Sequence, residues 1–337
     1  IRAFTAFAAF NTIVALLHAL YQSALTWGLL RIACGIAMMG MYMVIESWLN
    51  ERADTHVRGR VFSVYMVMTF AGLGGGQFLL DAGKEQPLTP FLLVAILFAA
   101  CLIPVALTRA ANPQPVERIN LQLRKLFHAA PFGVWGCLGA GLANGAFYAL
   151  GPTFGVREGL NVTQVAGFMG ATILGGLALQ WPIGALSDRF DRQRVIGALS
   201  FAVAAISLIL AVTGGTLVFV LLIVGPVFGG LTFTLYPVAV AHANDHIEIA
   251  DVVPASAALI LCYSLGAMLG PLGAAAVMWV TGATGLFLFT ALLSLALGVA
   301  ALLAPRVARV APEDRVPYVP VPRTSAVIAQ LDPRAPE

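Results

Sequence analysis

The chain has 337 residues, of which 59% are hydrophobic and 10% are charged, and its formal net charge is +3. Soluble domains carry about 25% charged residues, so this composition excludes an ordinary water-soluble protein of this size. The Lys and Arg residues that give this small positive charge are distributed over the loops and are not clustered in a patch that would bind nucleic acid. We therefore expect a membrane protein that contacts the lipid bilayer and has no nucleic-acid partner.

Ten apolar segments follow one another along the chain, each close to the roughly 20 residues that a membrane-spanning helix needs. None of them alternates apolar and polar residues as a transmembrane strand does, so all ten are predicted to be helices. An all-α membrane protein follows from this pattern. The segments are residues 3–20, 24–49, 61–81, 88–108, 130–150, 162–184, 195–213, 216–241, 254–280 and 284–304.

The basic residues predict which side of the membrane each loop occupies. Of the 19 Lys and Arg residues, all except Arg31, Lys84 and Arg157 fall in loops or tails on one side of the predicted spans. Cytoplasmic loops are enriched in Lys and Arg, so this side is predicted to be cytoplasmic. With an even number of spans, both termini of the chain are predicted to lie in the cytoplasm.

The two halves of the chain resemble each other. A shift of 194 residues superposes the span boundaries and several identical residues without a gap, which indicates a parallel internal repeat. The same shift leaves two helices of the second half without a counterpart in the first. We therefore expect the chain to lack the first two helices of a twelve-helix protein; the alternative is a ten-helix protein. The matched pairs include Gly35 with Gly229, Tyr42 with Tyr236, Gly72 with Gly266 and Gly76 with Gly270.

The repeat also predicts the domain boundaries. Residues 1–108 form the remainder of an N-terminal bundle, 109–127 a cytoplasmic linker, and 128–304 a C-terminal bundle of six helices. The segment 305–337 is rich in proline and has no apolar run of span length, so we expect a disordered cytoplasmic tail. Asn161 begins an Asn-Val-Thr sequon, but its position before the sixth span favours a helix N-cap.

One short turn between the sixth and seventh spans concentrates charge. It resembles motif A of the major facilitator superfamily, a G-x-x-x-D-R-x-G-R-R turn, although Asp191 stands where glycine is usual and Gln193 where a basic residue is common. The resemblance implies that the turn belongs to a cytoplasmic gate. Its residues are Gly184, Asp188, Arg189, Arg192 and Arg194.

Further segments resemble the same superfamily. Arg31-x-x-x-Gly35 is similar to its fourth-helix motif, and Glu46 followed by Arg58-Gly-Arg60 is similar to its loop between helices four and five. The run Glu46-Ser-Trp-Leu-Asn-Glu resembles the YcaD-like branch more narrowly. The resemblance implies two six-helix bundles, present here as four plus six helices, family helices 3–6 and 7–12. It also implies an inner-membrane transporter that works by alternating access.

Two roles are open for the charged gate residues. Asp188 can accept backbone N–H groups at a neighbouring helix N-terminus, while Arg189, Arg192 and Arg194 can pair with acids of the other half. Such a latch would use Glu46, with Arg58 and Arg60 about one loop away. In the alternative, the arginines only set the topology.

Polar side chains within the spans are the candidates for the solute cavity. An arginine inside a span costs about 2.5–3.5 kcal/mol on insertion scales, which makes Arg31 a candidate, although it can also snorkel outward. Each of the other polar side chains can instead bond a neighbouring helix. Gly72, Gly76, Gly266, Gly270 and Pro271 are predicted to permit close packing and bending of helices. The cavity candidates are Arg31, Gln77, Asn144, Tyr148, Tyr236 and Tyr263.

No enzyme, cofactor or metal site is expected. His242-x-x-Asp245-His246 has a spacing that suits a metal, but its place in a predicted loop favours a solvated segment. The sequence therefore predicts a monomeric secondary active transporter of a small organic solute, driven by an ion gradient, with H+ as a candidate ion. The alternatives are a lipid or lysophospholipid flippase of the same fold and a membrane receptor without transport.

Overall fold

The structure, a computed structural model, describes residues 2–53, 58–108, 123–214, 218–248 and 251–304, together with Tyr318. Within these ranges the chain is almost entirely helical, which confirms the predicted all-α class. The helices are α1 (Arg2–Leu20), α2 (Ala24–Arg52), α3 (Arg58–Gly76), α4 (Thr89–Ala100), α5 (Leu102–Leu107), α6 (Leu123–Ala129), α7 (Pro131–Arg157), α8 (Val162–Arg189), α9 (Arg192–Thr213), α10 (Val218–Asn244), α11 (Val252–Thr281) and α12 (Gly285–Leu303).

The predicted spans all fall on these helices. In the described ranges nine helical segments are long and apolar enough to cross a membrane by themselves, and the bent pair of α6 and α7 provides a tenth. The axis turns by 110° between α6 and α7. A 3₁₀ turn, Gln77–Gly83, continues the span that α3 begins, and Cys101 separates α4 from α5 within another.

Two helix starts show how local sequence sets the boundaries. The Asn161 side chain accepts a hydrogen bond from the Gln164 N–H at 2.9 Å, and the Gln164 side chain accepts one from the Asn161 N–H at 2.9 Å. This reciprocal capping box confirms the predicted N-cap of α8. Asp191 caps α9 in the same way by accepting from the Arg194 N–H at 3.0 Å. The aspartate at the motif's usual glycine position therefore starts a helix.

The described residues divide into two units. Unit 1 contains residues 2–53, 58–64 and 79–108, in which α1 packs against α2 and α4. Unit 2 contains residues 65–78, 123–214, 218–248 and 251–304 with Tyr318. The predicted domain boundaries stay predictions, but residues 65–78 belong by their contacts to unit 2. Most of the predicted linker and, apart from Tyr318, the predicted tail lie outside the described residues.

Glycines bring helix backbones together in unit 2. α7 packs chiefly on α11, α8 on α10, and α9 on α12. A Cβ atom on Gly266 would overlap the carbonyl oxygen of Leu138, and one on Gly270 would overlap that of Leu142. Because helices associate closely in lipid where small residues face each other, these contacts fit the predicted packing role of both glycines. Pro271 follows within α11.

The matching glycines of the first half have different surroundings. Within the described part of the chain, a Cβ atom on Gly72 or Gly76 would meet nothing within 4 Å. The close contact of α3 lies instead at Gly74, whose Cβ would stand 3.1 Å from the Leu174 side chain of α8. The packing role predicted for Gly72 and Gly76 therefore stays a prediction.

Gly175 and Gly167 of α8 provide a matched test of backbone packing. A Cβ on Gly175 would overlap the backbone of Pro226 in α10, whereas one on Gly167 would reach only the Leu222 side chain at 3.6 Å. We expect Gly175→Ala to destabilise the protein by about 1–3 kcal/mol because the two backbones must separate. Gly167→Ala should leave the melting temperature in detergent unchanged or higher. Equal melting temperatures for the two variants would contradict this packing.

Candidate gate and solute site

Arg192 is the centre of a buried charge cluster at one end of unit 2. It is the first residue of α9 and is 3% exposed. Its Nη1 donates to the Asp245 carboxylate at 2.7 Å and to the Ala241 carbonyl oxygen at 2.9 Å. Its Nη2 donates to the Asp188 carboxylate at 2.7 Å. One guanidinium group thus ties the end of α8 and the end of α10 to the start of α9.

Asp245 corrects the interpretation of the His242 to His246 segment as a solvated loop. The Asp245 side chain is only 4% exposed, and His242 is buried within α10. Burying a carboxylate is costly unless it is paired and hydrogen-bonded, and Arg192 supplies both conditions. The sequence showed the charge of each residue but not that they meet.

The other motif residues surround this cluster. Asp188 is partly exposed and also accepts the backbone N–H of Tyr318 at 2.9 Å. Three partners of Arg192, namely Asp188, Asp245 and the Ala241 carbonyl, lie in its own bundle. A pairing of the motif's arginines with acids of the other half, and acceptance by Asp188 of an N–H at a helix N-terminus, stay predictions. Arg189 and Arg194 are exposed.

Gln193 has a role that sequence reasoning missed. Its side-chain nitrogen donates to the carbonyl oxygens of Ala301 and Ala304, at 3.1 and 3.4 Å. The last carbonyls of a helix lack intrahelical partners, so Gln193 satisfies groups at the end of α12. The sequence signal for this role was that Gln193 is neutral at a position where motif A commonly has a basic residue.

The predicted gate and cavity residues of unit 1 lie on α2 and α3. Glu46 is 2% exposed and lies within α2. Arg60 and Arg31 are exposed on α3 and α2. The side chain of Arg58 lies outside the described part of the structure. A pairing of Glu46 with motif A therefore stays a prediction.

The candidate cavity residues of unit 2 have different surroundings: the tyrosines contact other aromatic rings, Asn144 is buried without a hydrogen bond among the described residues, and Gln77 bonds the backbone. Tyr148 stacks on Phe233 with ring centroids 5.2 Å apart, and Tyr236 contacts Tyr263 with centroids 4.9 Å apart. Asn144 is fully buried, and neither its amide nitrogen nor its oxygen has a hydrogen-bond partner among the described residues. Gln77 bonds its own helix, donating to the Leu73 carbonyl oxygen at 3.2 Å.

Thr232 is a second buried polar residue, which the sequence did not single out. Its hydroxyl also has no partner in the described structure. A Cβ on Gly133 of α7 would stand 2.9 Å from the Ala243 Cβ of antiparallel α10. Asn144 lies eleven residues after Gly133 and Thr232 eleven before Ala243, about three turns in each case. Asn144 and Thr232 are therefore at the same level on facing sides of the two helices.

The same end of unit 2 contains one further ion pair. Lys125 of α6 donates to the Asp251 carboxylate just before α11. The contact attaches α6 to the bundle. Among the described residues, no group of three or more His, Cys, Asp or Glu side chains is placed to hold a metal ion.

Comparison with known proteins decides the family. The sequence profile of the Major Facilitator Superfamily matches residues 1–247 and, in a second match, residues 182–331. The chain belongs to the major facilitator superfamily. Together with the nine or ten described segments that are long and apolar enough to cross a membrane, this membership makes the chain a multi-pass membrane protein.

Relatives within the superfamily include MFS-type transporters named YcaD. The one from Salmonella arizonae is 30% identical over 248 residues, which are 73% of this chain and 64% of the relative. The one from Escherichia coli O17:K52:H18 is 30% identical over 255 residues, 74% of this chain and 64% of the relative. These matches confirm the resemblance to the YcaD-like branch. The chain spans just under two-thirds of the length of these relatives.

A solved structure of the superfamily has a similar fold. It is a bacterial homologue of the human lysosomal transporter Spinster, in an inward-facing and unoccupied conformation. The TM-score is 0.63, and the similarity covers 89% of this chain and 79% of the other at 15% sequence identity. This similarity confirms the superfamily fold.

Replacement of Arg192 tests the buried charge cluster. We expect Arg192→Ala to destabilise the protein by about 3–5 kcal/mol, because the buried Asp245 carboxylate then loses the guanidinium that it pairs with at 2.7 Å. The melting temperature in detergent measures the loss, and the exposed Arg194 provides the control, since Arg194→Ala should have little effect. Arg192→Ala combined with Asp245→Ala should be more stable than Arg192→Ala alone. A double variant at least as unstable as the single one would contradict the pairing.

Proposed function

We propose that this chain acts in secondary active transport of a small organic solute by alternating access. Membership of the superfamily supports a role in transport. We further propose that the protein has a solute site and a gate, couples transport to an H+ gradient, and acts as a monomer. We also propose that the basic loops and both termini of the chain face the cytoplasm, because Lys and Arg concentrate there.

The observation that carries the solute site is the unbonded amide of Asn144. Buried amide groups are nearly always hydrogen-bonded, and one left without a partner costs about 1–3 kcal/mol. Such a cost in the middle of a helix bundle is understandable if a ligand supplies the partner. An amide both donates and accepts, so the solute would present a hydroxyl, carboxamide or similar group.

The surroundings of Asn144 support a site with an apolar body and a polar end. Three residues after Asn144, Phe147 of α7 contacts Phe228 of α10 with ring centroids 5.4 Å apart. α7 and α10 are therefore in contact on both sides of the level of Asn144 and Thr232: at Gly133 and Ala243 on one side, and at Phe147 and Phe228 on the other. We propose that these two polar groups receive the solute's polar end while aromatic rings contact the remainder.

Tyr148, Tyr236 and Tyr263 are proposed as the polar-tipped part of the cavity wall. A Cβ on Gly141, three residues before Asn144, would overlap the Tyr263 carbonyl oxygen, so α11 approaches α7 just below Asn144. Tyr263 in turn contacts Tyr236 of α10. The three helices that present these tyrosines are therefore the same ones that surround the unbonded amide.

The Arg192 cluster is proposed as the gate element at the cytoplasmic end. While Arg192 binds Asp188 and Asp245, the ends of α8 and α10 are held to the start of α9. A conformational change that separates these helix ends must break charge-assisted hydrogen bonds, which are stronger than neutral ones. The cluster therefore favours one conformation, and solute binding must offset that preference.

Asn144→Leu tests the solute site. The full-length protein is reconstituted in proteoliposomes and supplied with a library of small organic solutes, with and without an imposed pH gradient. We expect gradient-dependent accumulation of a solute by the wild type and at least a tenfold loss in Asn144→Leu. The melting temperature of the variant should be unchanged or higher, because an unsatisfied buried amide is replaced by an apolar group of similar size.

Ser207→Ala is the matched control for Asn144→Leu. The Ser207 hydroxyl is also fully buried and has no described partner, but it lies on α9, away from the proposed site. Transport by Ser207→Ala should equal that of the wild type. Wild-type transport by Asn144→Leu would refute the site. Failure of the folded wild type to accumulate any solute would count against the transport proposal and favour the flippase alternative.

Arg31→Ala tests coupling in the same assay. Arg31 lies within the span formed by α2, where a charge is costly, and we propose that it contacts the solute or a counter-ion. We expect accumulation driven by the pH gradient to fall at least tenfold in Arg31→Ala and to recover partly in Arg31→Lys, which keeps the charge. Accumulation equal to the wild type in Arg31→Ala would assign the arginine a structural role.

A further inference from the structure

We propose that the α8–α9 turn contains a docking site for the chain's own C-terminal tail, with Tyr318 as the docked residue. Tyr318 lies 130 residues beyond Asp188 in sequence, yet its backbone N–H donates to the Asp188 carboxylate at 2.9 Å. Its ring is partly buried against the core of unit 2. The site is separate from the proposed solute site and stands independently of the proposed function.

Gly184 forms the floor of this docking site. A Cβ atom at Gly184 would overlap the Tyr318 ring, and even the ring atom Cγ would stand only 2.8 Å from it. The ring thus occupies the space that any other residue's side chain would fill. Gly184 is buried in part because Tyr318 covers it. The glycine of the motif therefore leaves room here for an aromatic ring rather than for a neighbouring helix.

Asp188 connects the docked residue to the charge cluster. The same carboxylate oxygen that accepts the Tyr318 N–H also accepts from Arg192 at 2.7 Å. Arg192 in turn binds Asp245. A docked tail therefore contacts α8 on the outer side of the group that ties α8, α9 and α10 together. The docked residue acts as a strap, because the end of α8 cannot move away from Tyr318 without breaking the hydrogen bond to Asp188 and uncovering Gly184.

The chain path makes this docking easy. Gln193 binds the Ala301 and Ala304 carbonyl oxygens, so α12 ends beside the start of α9. The tail therefore departs next to the turn on which Tyr318 docks. The 14 residues from Ala304 to Tyr318 reach at most about 50 Å, which gives the tail a high effective concentration at the site. No partner protein is needed to fill the site.

A cysteine pair tests the contact directly. The four native cysteines, Cys34, Cys101, Cys137 and Cys262, are first replaced by alanine. Because a Gly184 Cβ would lie 2.8 Å from the Tyr318 Cγ, and one bond adds roughly 1.5 Å, the two Cβ atoms are no more than about 4.3 Å apart. This separation suits a disulfide. We expect Gly184→Cys with Tyr318→Cys to cross-link readily in membranes under mild oxidation.

Leu186→Cys with Tyr318→Cys is the control pair. Leu186 is two residues further along the same helix, faces another direction and is 47% exposed, so its cysteine is accessible but not beneath the tail. The disulfide peptide, measured by mass spectrometry, should form at least ten times faster in the Gly184 pair than in the Leu186 pair. Equal rates, or no cross-link in either pair, would overturn the docking site.

Hydrogen exchange tests the strap without added cysteines. If Tyr318 holds the turn, Tyr318→Ala should raise amide exchange of residues 187–192 several-fold in the full-length protein. Tyr318→Phe keeps the ring over Gly184 and should exchange like the wild type. Exchange in the α7–α8 connection, at the other end of the bundle, should not change in either variant. Wild-type protection of residues 187–192 in Tyr318→Ala would overturn the strap.

Discussion

Close contact between helix backbones is the constraint on which the rest of unit 2 depends. Lipid tails are as apolar as the side chains they touch, so burial of apolar surface does not by itself hold helices together in a bilayer. Dispersion contacts replace it, and they are close where Gly266 and Gly270 let α11 reach the backbone of α7. The contact of Gly133 in α7 with Ala243 in α10 likewise sets the level of Asn144 relative to Thr232.

Some buried polar groups of unit 2 are hydrogen-bonded to each other, and others have no partner among the described residues. The guanidinium of Arg192 and the carboxylate of Asp245 are buried together and bonded to each other, so each offsets the desolvation of the other. The amide of Asn144 is buried as deeply and has no described partner. A paired charge cluster favours one conformation of the protein, whereas an unsatisfied amide raises affinity for a ligand that bonds it. In the proposed function, the first arrangement suits a gate element and the second a binding element.

Sequence reasoning predicted the local features correctly. The ten spans fall on helices, and Asn161 caps α8 as expected, because apolar length and capping chemistry depend on residues that are near one another in the chain. The motifs also pointed to the family that the comparisons establish. Sequence reasoning did not find the pairing of Arg192 with Asp245, and it assigned Asp245 to solvent, because charge alone does not specify which residues meet.

The sequence by itself determined the helical class, the number of spans, the family and the position of the charged turn. Each of these depends on composition or on a short run of residues. In lipid, backbone polar groups must bond within the protein, which leaves an apolar segment of this length few structures other than a helix. Only the tertiary structure decided that Arg192 bridges Asp188 and Asp245, that α7 meets α10 at Gly133 and Ala243, and that Tyr318 covers Gly184. Helical periodicity specifies which residues share a face, but the packing of backbones at glycines decides which faces meet and at what level.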